Sequence, residues 1–219
     1  MPALPVDVCI RVVVIDDHPA VCQALQVALT HQPDMCFCGY SVTAAEAHQL
    51  IESSRPDVAV VDLSLSDAYG LSLIPAIRQS SPGTQVVVFS MGKESAFAER
   101  AIRVGALGYV SKTESSAVVI DAIRAAYNGR THLSPSLALK FISRAIKGSL
   151  DERAGLDALT DQELAIVHLL GVGRAVHHVA QLMGINRKTV VSYQRRAMEK
   201  LGCTTTGDLL LSIREIACD

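Results

Sequence analysis

The sequence predicts an α/β domain with a doubly wound parallel sheet, followed by a smaller domain made only of helices. Through roughly the first 127 residues, short apolar runs alternate with longer segments whose apolar residues recur at helical spacing. From Leu159 onward the pattern is helical throughout. Strands that are apolar on both faces and alternate with helices are typical of a parallel sheet covered on both sides. We therefore expect two domains.

Four strands of the first domain can be delimited, and they are numbered first, third, fourth and fifth. They cover residues 12–15, 57–63, 85–90 and 108–112. Each is followed by apolar residues at helical spacing, for example around Val21, Leu71, Phe97 and Val118. A second strand, which the pattern does not delimit, is expected between residues 15 and 57.

The remaining elements are all expected to be helices. One begins at Ser134-Pro135 and ends near Gly148, within a linker. A capping box from Thr160 to Glu163 then opens the helix LTDQELAIVHLL. AVHHVAQLM, RKTVVSYQRRAMEKL and TTGDLLLSIREI follow as further helices, and GIN forms the tight turn between the first two of them.

Composition narrows the class of protein. The chain has 49% hydrophobic and 19% charged residues, which is typical of a globular protein, and no apolar run approaches the roughly 18 residues of a membrane span. The opening MPALPVDVCI lacks the basic start of a secretion signal, so we expect a cytoplasmic protein without a membrane partner. The six cysteines form no Cys-x-x-Cys pair, and we expect most of them to be reduced thiols rather than metal ligands.

Polar residues follow the strands at the point where each one ends. Asp16 and Asp17 follow the first strand, Asp62 the third, and Ser90 and Lys112 end the fourth and fifth. Because the carboxyl ends of parallel strands share one edge of the sheet, these groups should converge. Three carboxylates favour a hard divalent cation such as Mg²⁺. With a lysine and a hydroxyl, the set can support phosphoryl transfer to a carboxylate.

These residues carry a resemblance to the receiver domain of two-component response regulators, which has a flavodoxin-like fold. The resemblance covers about residues 9–127. It implies that Asp62 is the phosphorylation site and that Ser90 and Lys112 contact the phosphoryl group. Asp16, Asp17, Asp62 and the backbone carbonyl of Ser64 would hold Mg²⁺. Tyr109 takes the place of the family's switch aromatic.

One residue departs from the receiver pattern. Two enzyme classes are also alternatives for the same site residues. Ser66 stands where the family usually has a proline, although Gly70 keeps its place, so the intervening loop is expected to be more mobile. A haloacid-dehalogenase-type phosphatase would need a second aspartate at the position of Ser64. A dinucleotide enzyme would need its glycine motif after a strand, but GVGRAV lies between helices. We expect neither enzyme.

Positive charge is concentrated in one segment of the second domain. The chain has a net charge of −2, yet residues 186–201 carry +4. The two helices joined by MGIN are typical of a helix-turn-helix, whose second helix enters the major groove of DNA. Ser192 and Arg195 are candidates for base contacts, and Lys188 and Thr189 for phosphates. Val191 and Arg196 lie on the same outward side of this helix. The alternative to a DNA-binding helix is an amphipathic helix whose cationic face only contacts solvent.

This segment resembles the four-helix domain of LuxR-type regulators, over about residues 157–216. The shared features include the opening LT, Glu163, a TV pair three residues after Asn186, and KLG at the end. The segment KTVVSYQRRAMEKLG is especially similar to the corresponding segment of capsule-synthesis regulators. Val191, Tyr193 and Ala165 depart from the family's usual residues, so base preference cannot be transferred.

Together the two resemblances imply a response regulator of the NarL/FixJ class, with residues 128–156 as a linker. The class implies a sensor histidine kinase as phosphate donor, promoter sites in double-stranded DNA as the target, and a homodimer as the active form. The alternative is a regulator that works without phosphorylation and whose receiver domain is a protein-interaction module. DNA affinity before and after phosphorylation distinguishes the two.

Overall fold

The computed structural model describes residues 9–91, 94–147 and 155–209. The chain divides into two compact units. The first comprises the residues up to Ser90 together with Ala101–His132, and the second comprises Met91–Arg100 together with the residues from Leu133 onward. Among the helices of the described ranges, none combines the length with the apolar composition that a bilayer span would need.

The first unit contains a five-stranded parallel sheet with the strand order β2-β1-β3-β4-β5. The strands are β1 (Ile10–Ile15), β2 (Met35–Ser41), β3 (Val58–Val61), β4 (Gln85–Ser90) and β5 (Gly108–Ser111). Valine fills most positions of β1, β3 and β4, and these valines are buried on both faces of the sheet. The chain turns to one side of β1 to form β2 and to the other side to form β3. This change of direction creates a switch point at the carboxyl ends of β1 and β3.

Five helices alternate with these strands, and four of them follow the strands after which helices were predicted. They are α1 (Pro19–Thr30), α2 (Ala44–Ser54), α3 (Gly70–Ser80), α4 (Glu94–Arg103) and α5 (Ser116–Tyr127). The sheet packs against α1 and α5 through an aliphatic cluster that includes Val12, Leu25, Val60, Val87 and Ile123. Burial of both sheet faces is what the apolar strands predicted.

The sequence pattern did not delimit strand β2 because β2 is an irregular edge strand. Its residues vary from buried to exposed without a regular alternation. The register with β1 passes from Phe37 to Gly39 and skips Cys38, which shifts the side chains from one face to the other. Neither the alternation of a half-buried strand nor the apolar run of a buried one is therefore present.

A disulfide joins Cys9 to Cys36, so the prediction of reduced thiols is wrong for this pair. The two cysteines are 27 residues apart in sequence, but β1 and β2 are neighbours, and Arg11 pairs with Cys36. Their Cα atoms lie 5.7 Å apart, within the range that a disulfide spans. Cys22, Cys38 and Cys203 are not disulfide-bonded, and Cys218 lies outside the described residues.

From Leu133 onward, the regular elements among the described residues of the second unit are helices. It contains α6 (Pro135–Lys147), a short 3-10 helix (Gly155–Ala158), α7 (Asp161–Gly171), α8 (Val176–Leu182) and α9 (Arg187–Leu201). The Thr160–Glu163 capping box at the start of α7 is confirmed. Of the predicted last helix, residues 206–209 are helical, and the remainder lies outside the described residues.

Helices α7, α8 and α9 pack around a small apolar core. Its buried members are Ile166, Leu169, Val179, Ala180 and Val190. Gly184, with φ of 63°, supplies the left-handed turn that separates α8 from α9. The predicted helix-turn-helix geometry is thus present.

Candidate functional site

The carboxyl ends of β1 and β3 bring Asp16 and Asp62 together. The backbone N–H of Asp62 donates to the carbonyl of Ile15 at 2.8 Å, and that of Asp16 donates to Ser41 at 3.0 Å. Both aspartates are almost fully buried, at 1% and 3% exposure. The ladder therefore fixes both residues at one edge of the sheet, as the strand pattern predicted.

Lys112 reaches this edge from the end of β5. Its Nζ lies 2.6 Å from Oδ2 of Asp16 and 2.9 Å from Oδ2 of Asp62. Its backbone N–H donates to the carbonyl of Ser90 at 2.9 Å, which ties the ends of β4 and β5 together. One ammonium group thus bridges two buried carboxylates.

Burial and charge shift the pKa values at this cluster in defined directions. Burial raises the pKa of Asp16, and the neighbouring Asp62 carboxylate raises it further. Burial alone would lower the pKa of Lys112, but Asp62 and Asp16 outweigh it and the net shift is upward. The site contains one lysine but three carboxylates, those of Asp16, Asp17 and Asp62. It therefore attracts a further cation.

His18 belongs to the same cluster, although no role was predicted for it. Its Nδ1 lies 2.8 Å from Oδ1 of Asp17 and 3.2 Å from Oδ1 of Asp16. Its backbone N–H also donates to Oδ1 of Asp16, at 2.9 Å. A histidine directly after two adjacent carboxylates was the signal that could have identified it.

The cluster fits a divalent cation. One potential ligand atom from each of Asp16, Asp17, His18 and Asp62 lies within 4.8 Å of all the others. Oδ1 of Asp62 is buried and has no hydrogen-bond partner among the described residues. A buried carboxylate oxygen without a partner is costly, and a cation would compensate it.

The other predicted residues of this site are Ser90, Ser64 and Tyr109, and each lies on a different element. Ser90 is fully buried at the end of β4 and pairs in register with Ser111 of β5. Ser64 is half-buried in the loop after β3. Tyr109 lies inside β5 and is buried, at 1% exposure.

The loop after β3 is anchored at several points even though Ser66 replaces the proline. Leu63 and Leu65 are fully buried. The Asp67 carboxylate accepts hydrogen bonds from the backbone N–H groups of Ala44 (2.8 Å) and Ala45 (3.3 Å), at the start of α2. These contacts restrain the loop by means other than a proline, and the sequence did not reveal them.

Helix α9 presents its basic residues outward. Val190 and Ala197 are buried, whereas Lys188, Val191, Arg195 and Arg196 are exposed and Ser192 is half-buried. The predicted set is therefore on one accessible side of the helix. A hydrogen bond also joins the Ser192 hydroxyl to the carbonyl of Lys188, at 2.9 Å.

The first turn of α9 is closed by its own cap. Both the backbone N–H and the hydroxyl of Thr189 donate to Oδ1 of Asn186, at 2.8 and 3.0 Å. Thr189 therefore has fewer free donors for an anion than the sequence suggested. Lys188 does not take part in this cap.

Tyr193 orients one of the arginines. The Arg196 guanidinium lies over the Tyr193 ring, 4.9 Å from its centroid, and the Tyr193 hydroxyl donates to Gln162 of α7. Such a cation–π contact restricts the arginine's rotamers. The departure from the family pattern at Tyr193 thus has a structural role.

Lys200 is engaged in a structural ion pair. Its Nζ lies 2.7 Å from Oε2 of Glu163, whose side chain is only 2% exposed. Burial alone would raise the pKa of Glu163, but the hydrogen bonds from Lys200 and Thr160 outweigh it and lower the pKa. Lys200, one of the five Lys and Arg residues in segment 186–201, therefore joins α9 to α7.

Both halves of the chain match known families. Residues 12–124, more than half of the chain, match the response regulator receiver domain. Residues 157–213 match the bacterial regulatory proteins of the luxR family.

Individual relatives match this chain over nearly their whole length. The chain is 28% identical to the DNA-binding transcriptional activator EvgA of Escherichia coli K12, over 90% of this chain and 94% of EvgA. It is 28% identical to the oxygen regulatory protein NreC of Staphylococcus aureus JH9, over 91% and 94%.

A solved structure has a similar fold. It is RcsB from Salmonella enterica serovar Typhimurium, bound to promoter P1flhDC in the presence of the phosphomimetic BeF3⁻. The TM-score is 0.77 at 23% identity, covering 94% of this chain and 99% of that one. The chain therefore belongs to the two-component response regulators of the NarL/FixJ class, transcriptional regulators that combine a receiver domain with a luxR-family DNA-binding domain.

Proposed function

We propose that a sensor histidine kinase phosphorylates this regulator on Asp62 and thereby controls its binding to promoter DNA. The observation that carries this proposal is the difference in contacts between the two carboxylate oxygens of Asp62. Lys112 holds Oδ2 at 2.9 Å, while the buried Oδ1 has no hydrogen-bond partner among the described residues. One oxygen is thus fixed and the other is available as a nucleophile.

The transfer step is an in-line displacement at phosphorus. Oδ1 of Asp62 forms the new P–O bond as the P–N bond of the kinase's phosphohistidine breaks, and the departing imidazole nitrogen retains the electron pair. Lys112 neutralises charge on a phosphoryl oxygen, and the Ser90 hydroxyl donates to another. These are roles for two groups that already end the neighbouring strands β5 and β4.

The acidic cluster would hold Mg²⁺ during this step. Asp17 and Asp62 are direct ligand candidates, together with Asp16 and the Ser64 backbone carbonyl. When bound, Mg²⁺ supplies positive charge that neutralises the phosphoryl oxygens. Both oxygens of Asp16 already accept hydrogen bonds, one from the His18 backbone and one from Lys112, which favours an orienting role for Asp16.

The output is a shift between two states of the receiver domain, 9–127, linked through 128–156 to the DNA-binding domain, 157–216. Phosphorylation draws in Ser90 and reorients Tyr109, and the altered surface favours a homodimer. Two recognition helices then bind a two-part site in double-stranded DNA, which places the regulator in the cytoplasm with the chromosome.

The DNA contacts are assigned to the exposed side of α9. Lys188 contacts phosphate with a smaller contribution from Thr189, and Ser192 and Arg195 contact base edges. Val191 offers an apolar contact, and Arg196 reaches the backbone from its position over Tyr193. RcsB, which has a similar fold, was solved bound to promoter DNA, and this supports promoter DNA as the target of this chain.

Intact mass spectrometry tests the phosphorylation step. The full chain is incubated with Mg²⁺ and phosphoramidate, a small phosphodonor with the P–N bond of phosphohistidine. We expect one phosphoryl adduct that is lost in Asp62→Asn and retained in Asp121→Asn, a control at an exposed carboxylate of α5. An absent adduct, or one that persists in Asp62→Asn, contradicts the assignment. DNA affinity that changes with neither phosphorylation nor Asp62→Asn would instead favour the phosphorylation-independent regulator.

A further inference from the structure

We propose that His18 is a nitrogen ligand of the cation site, and that it gives this site a preference for a borderline transition ion such as Co²⁺ or Zn²⁺ over Mg²⁺. The inference rests on the cation site of the proposed function and specifies its chemistry. The family resemblance implied only oxygen ligands here.

The distances around His18 suit a shared ion. An octahedral ion with ligands at about 2.1 Å places neighbouring ligand atoms roughly 3 Å apart. Nδ1 of His18 lies 2.8 Å from Oδ1 of Asp17 and 3.2 Å from Oδ1 of Asp16, on either side of that spacing. All four potential ligand atoms lie within 4.8 Å of one another, close enough to surround one ion.

A second observation points to a ligand at the same place. Asp62, whose buried Oδ1 has no hydrogen-bond partner among the described residues, belongs to the same four-residue group as His18. Asp16 is already occupied by Lys112 and by the His18 backbone. We assign Asp17, His18 and Asp62 as the direct ligands, since each offers one potential ligand atom to the group, which makes two oxygens and one nitrogen.

This ligand set determines which ion His18 causes to bind more tightly. Mg²⁺ is a hard cation that prefers oxygen, whereas imidazole nitrogen suits Zn²⁺ and the ions before it in the first transition row. The His18 side chain is 63% exposed, so Nε2 can carry the ring proton in solvent while Nδ1 contacts the ion. His18 adds affinity for Co²⁺ or Zn²⁺ and adds little for Mg²⁺.

The decisive measurement compares Mg²⁺ and Co²⁺ binding to the full chain by isothermal titration calorimetry. We expect His18→Asn to weaken Co²⁺ binding by about tenfold or more and Mg²⁺ binding by less than about twofold. His48→Asn is the matched control, because His48 is an exposed histidine of α2 beside Glu52 and outside the cluster. It should leave both affinities for the Asp62-dependent site unchanged.

Proton NMR of the Co²⁺ form reports ligation directly. A bound imidazole gives a paramagnetically shifted, exchangeable ring N–H signal, which we expect in the unaltered chain and in His48→Asn but not in His18→Asn. If His18→Asn does not fold, His18→Gln serves as the second variant. Circular dichroism verifies the fold of each.

The outcomes separate this inference from the proposed function. Mg²⁺ binding that Asp62→Asn abolishes upholds the cation site whatever His18 does. Unchanged Co²⁺ affinity in His18→Asn, or an equal loss for both ions, overturns the nitrogen-ligand inference, because an equal loss means that His18 only positions Asp17. If neither ion binds in an Asp62-dependent way, both proposals fail.

Discussion

Lys112 binds Asp62 through only one of the two carboxylate oxygens, at 2.9 Å, and binds Asp16 at the same time. The ammonium group thus compensates two buried charges while it leaves the remaining oxygen of Asp62 available. A lysine placed over both oxygens would have blocked the carboxylate.

Lys112→Ala should slow phosphorylation of Asp62 by about 100-fold or more, because a charge that stabilises the transferring group is lost. Stopped-flow or quenched mass spectrometry with phosphoramidate measures the rate. Lys112→Arg, which keeps the charge with altered geometry, should recover part of it. An unchanged rate in Lys112→Ala would remove the lysine from the mechanism.

The Glu163–Lys200 pair should make stability depend on pH. The pKa of Glu163 is lowered in the folded state, so its contribution is fully present above the unfolded value near 4.5 and is lost as pH falls through the folded pKa. Glu163→Gln should cost about 1–2 kcal/mol at neutral pH, a modest value because Lys200 is partly exposed.

Urea denaturation at several pH values tests this. The difference between Glu163→Gln and the unaltered chain should shrink in acid. Glu199→Gln, at an exposed carboxylate of α9, is the control and should change stability little at any pH. A pH-independent difference would contradict a role for the ionised Glu163 carboxylate in stability.

Two substitutions in α9 should affect DNA binding differently. Lys188→Ala should weaken binding to all sequences and reduce the salt slope by about one, because a phosphate contact is lost. Arg195→Ala should cost about 1–3 kcal/mol at the preferred site and relax its selectivity. Fluorescence anisotropy at several salt concentrations measures both, with exposed Arg130→Ala as the control. Unchanged affinity in both variants would refute the assignment of α9.

Reduction of the Cys9–Cys36 disulfide should lower the free energy of unfolding of the first unit. A cross-link between residues 27 apart stabilises a chain by up to about 3.5 kcal/mol in the loop-entropy treatment. Thermal unfolding with and without a thiol reductant measures the change. The double variant Cys9→Ser with Cys36→Ser should show the reduced stability and no response to reductant. A response that persists in it would point to another cysteine.

The sequence predicted the parts of the fold that depend on periodic burial. Strand β4 and helix α9 have the predicted bounds because their apolar residues follow one period without interruption. The meeting of Asp16, Asp62 and Lys112 was also predictable, since parallel strands end at a common edge.

The features that the sequence missed depend on contacts between distant residues. The cap that Asp67 places on α2 joins segments 22 and 23 residues apart, and no local pattern encodes it. The pairing of Cys9 with Cys36 likewise required the position of β2, whose skipped residue interrupts its alternation. The contacts of His18 with Asp16 and Asp17 were also not predicted.

Gly70 has a consequence for variation in the loop that carries Asp62. A Cβ at this position would lie 2.0 Å from the backbone carbonyl oxygen of Asp62 and 2.6 Å from the Cα of Leu63. Every other amino acid has that atom, and neither neighbour is a flexible side chain that could move aside. Substitution at position 70 would therefore displace Asp62, the proposed phosphate acceptor, whereas half-buried Ser66, in the same loop, already carries a Cβ. In a randomised library of this loop, selection for signalling would retain glycine at 70 and accept many residues at 66.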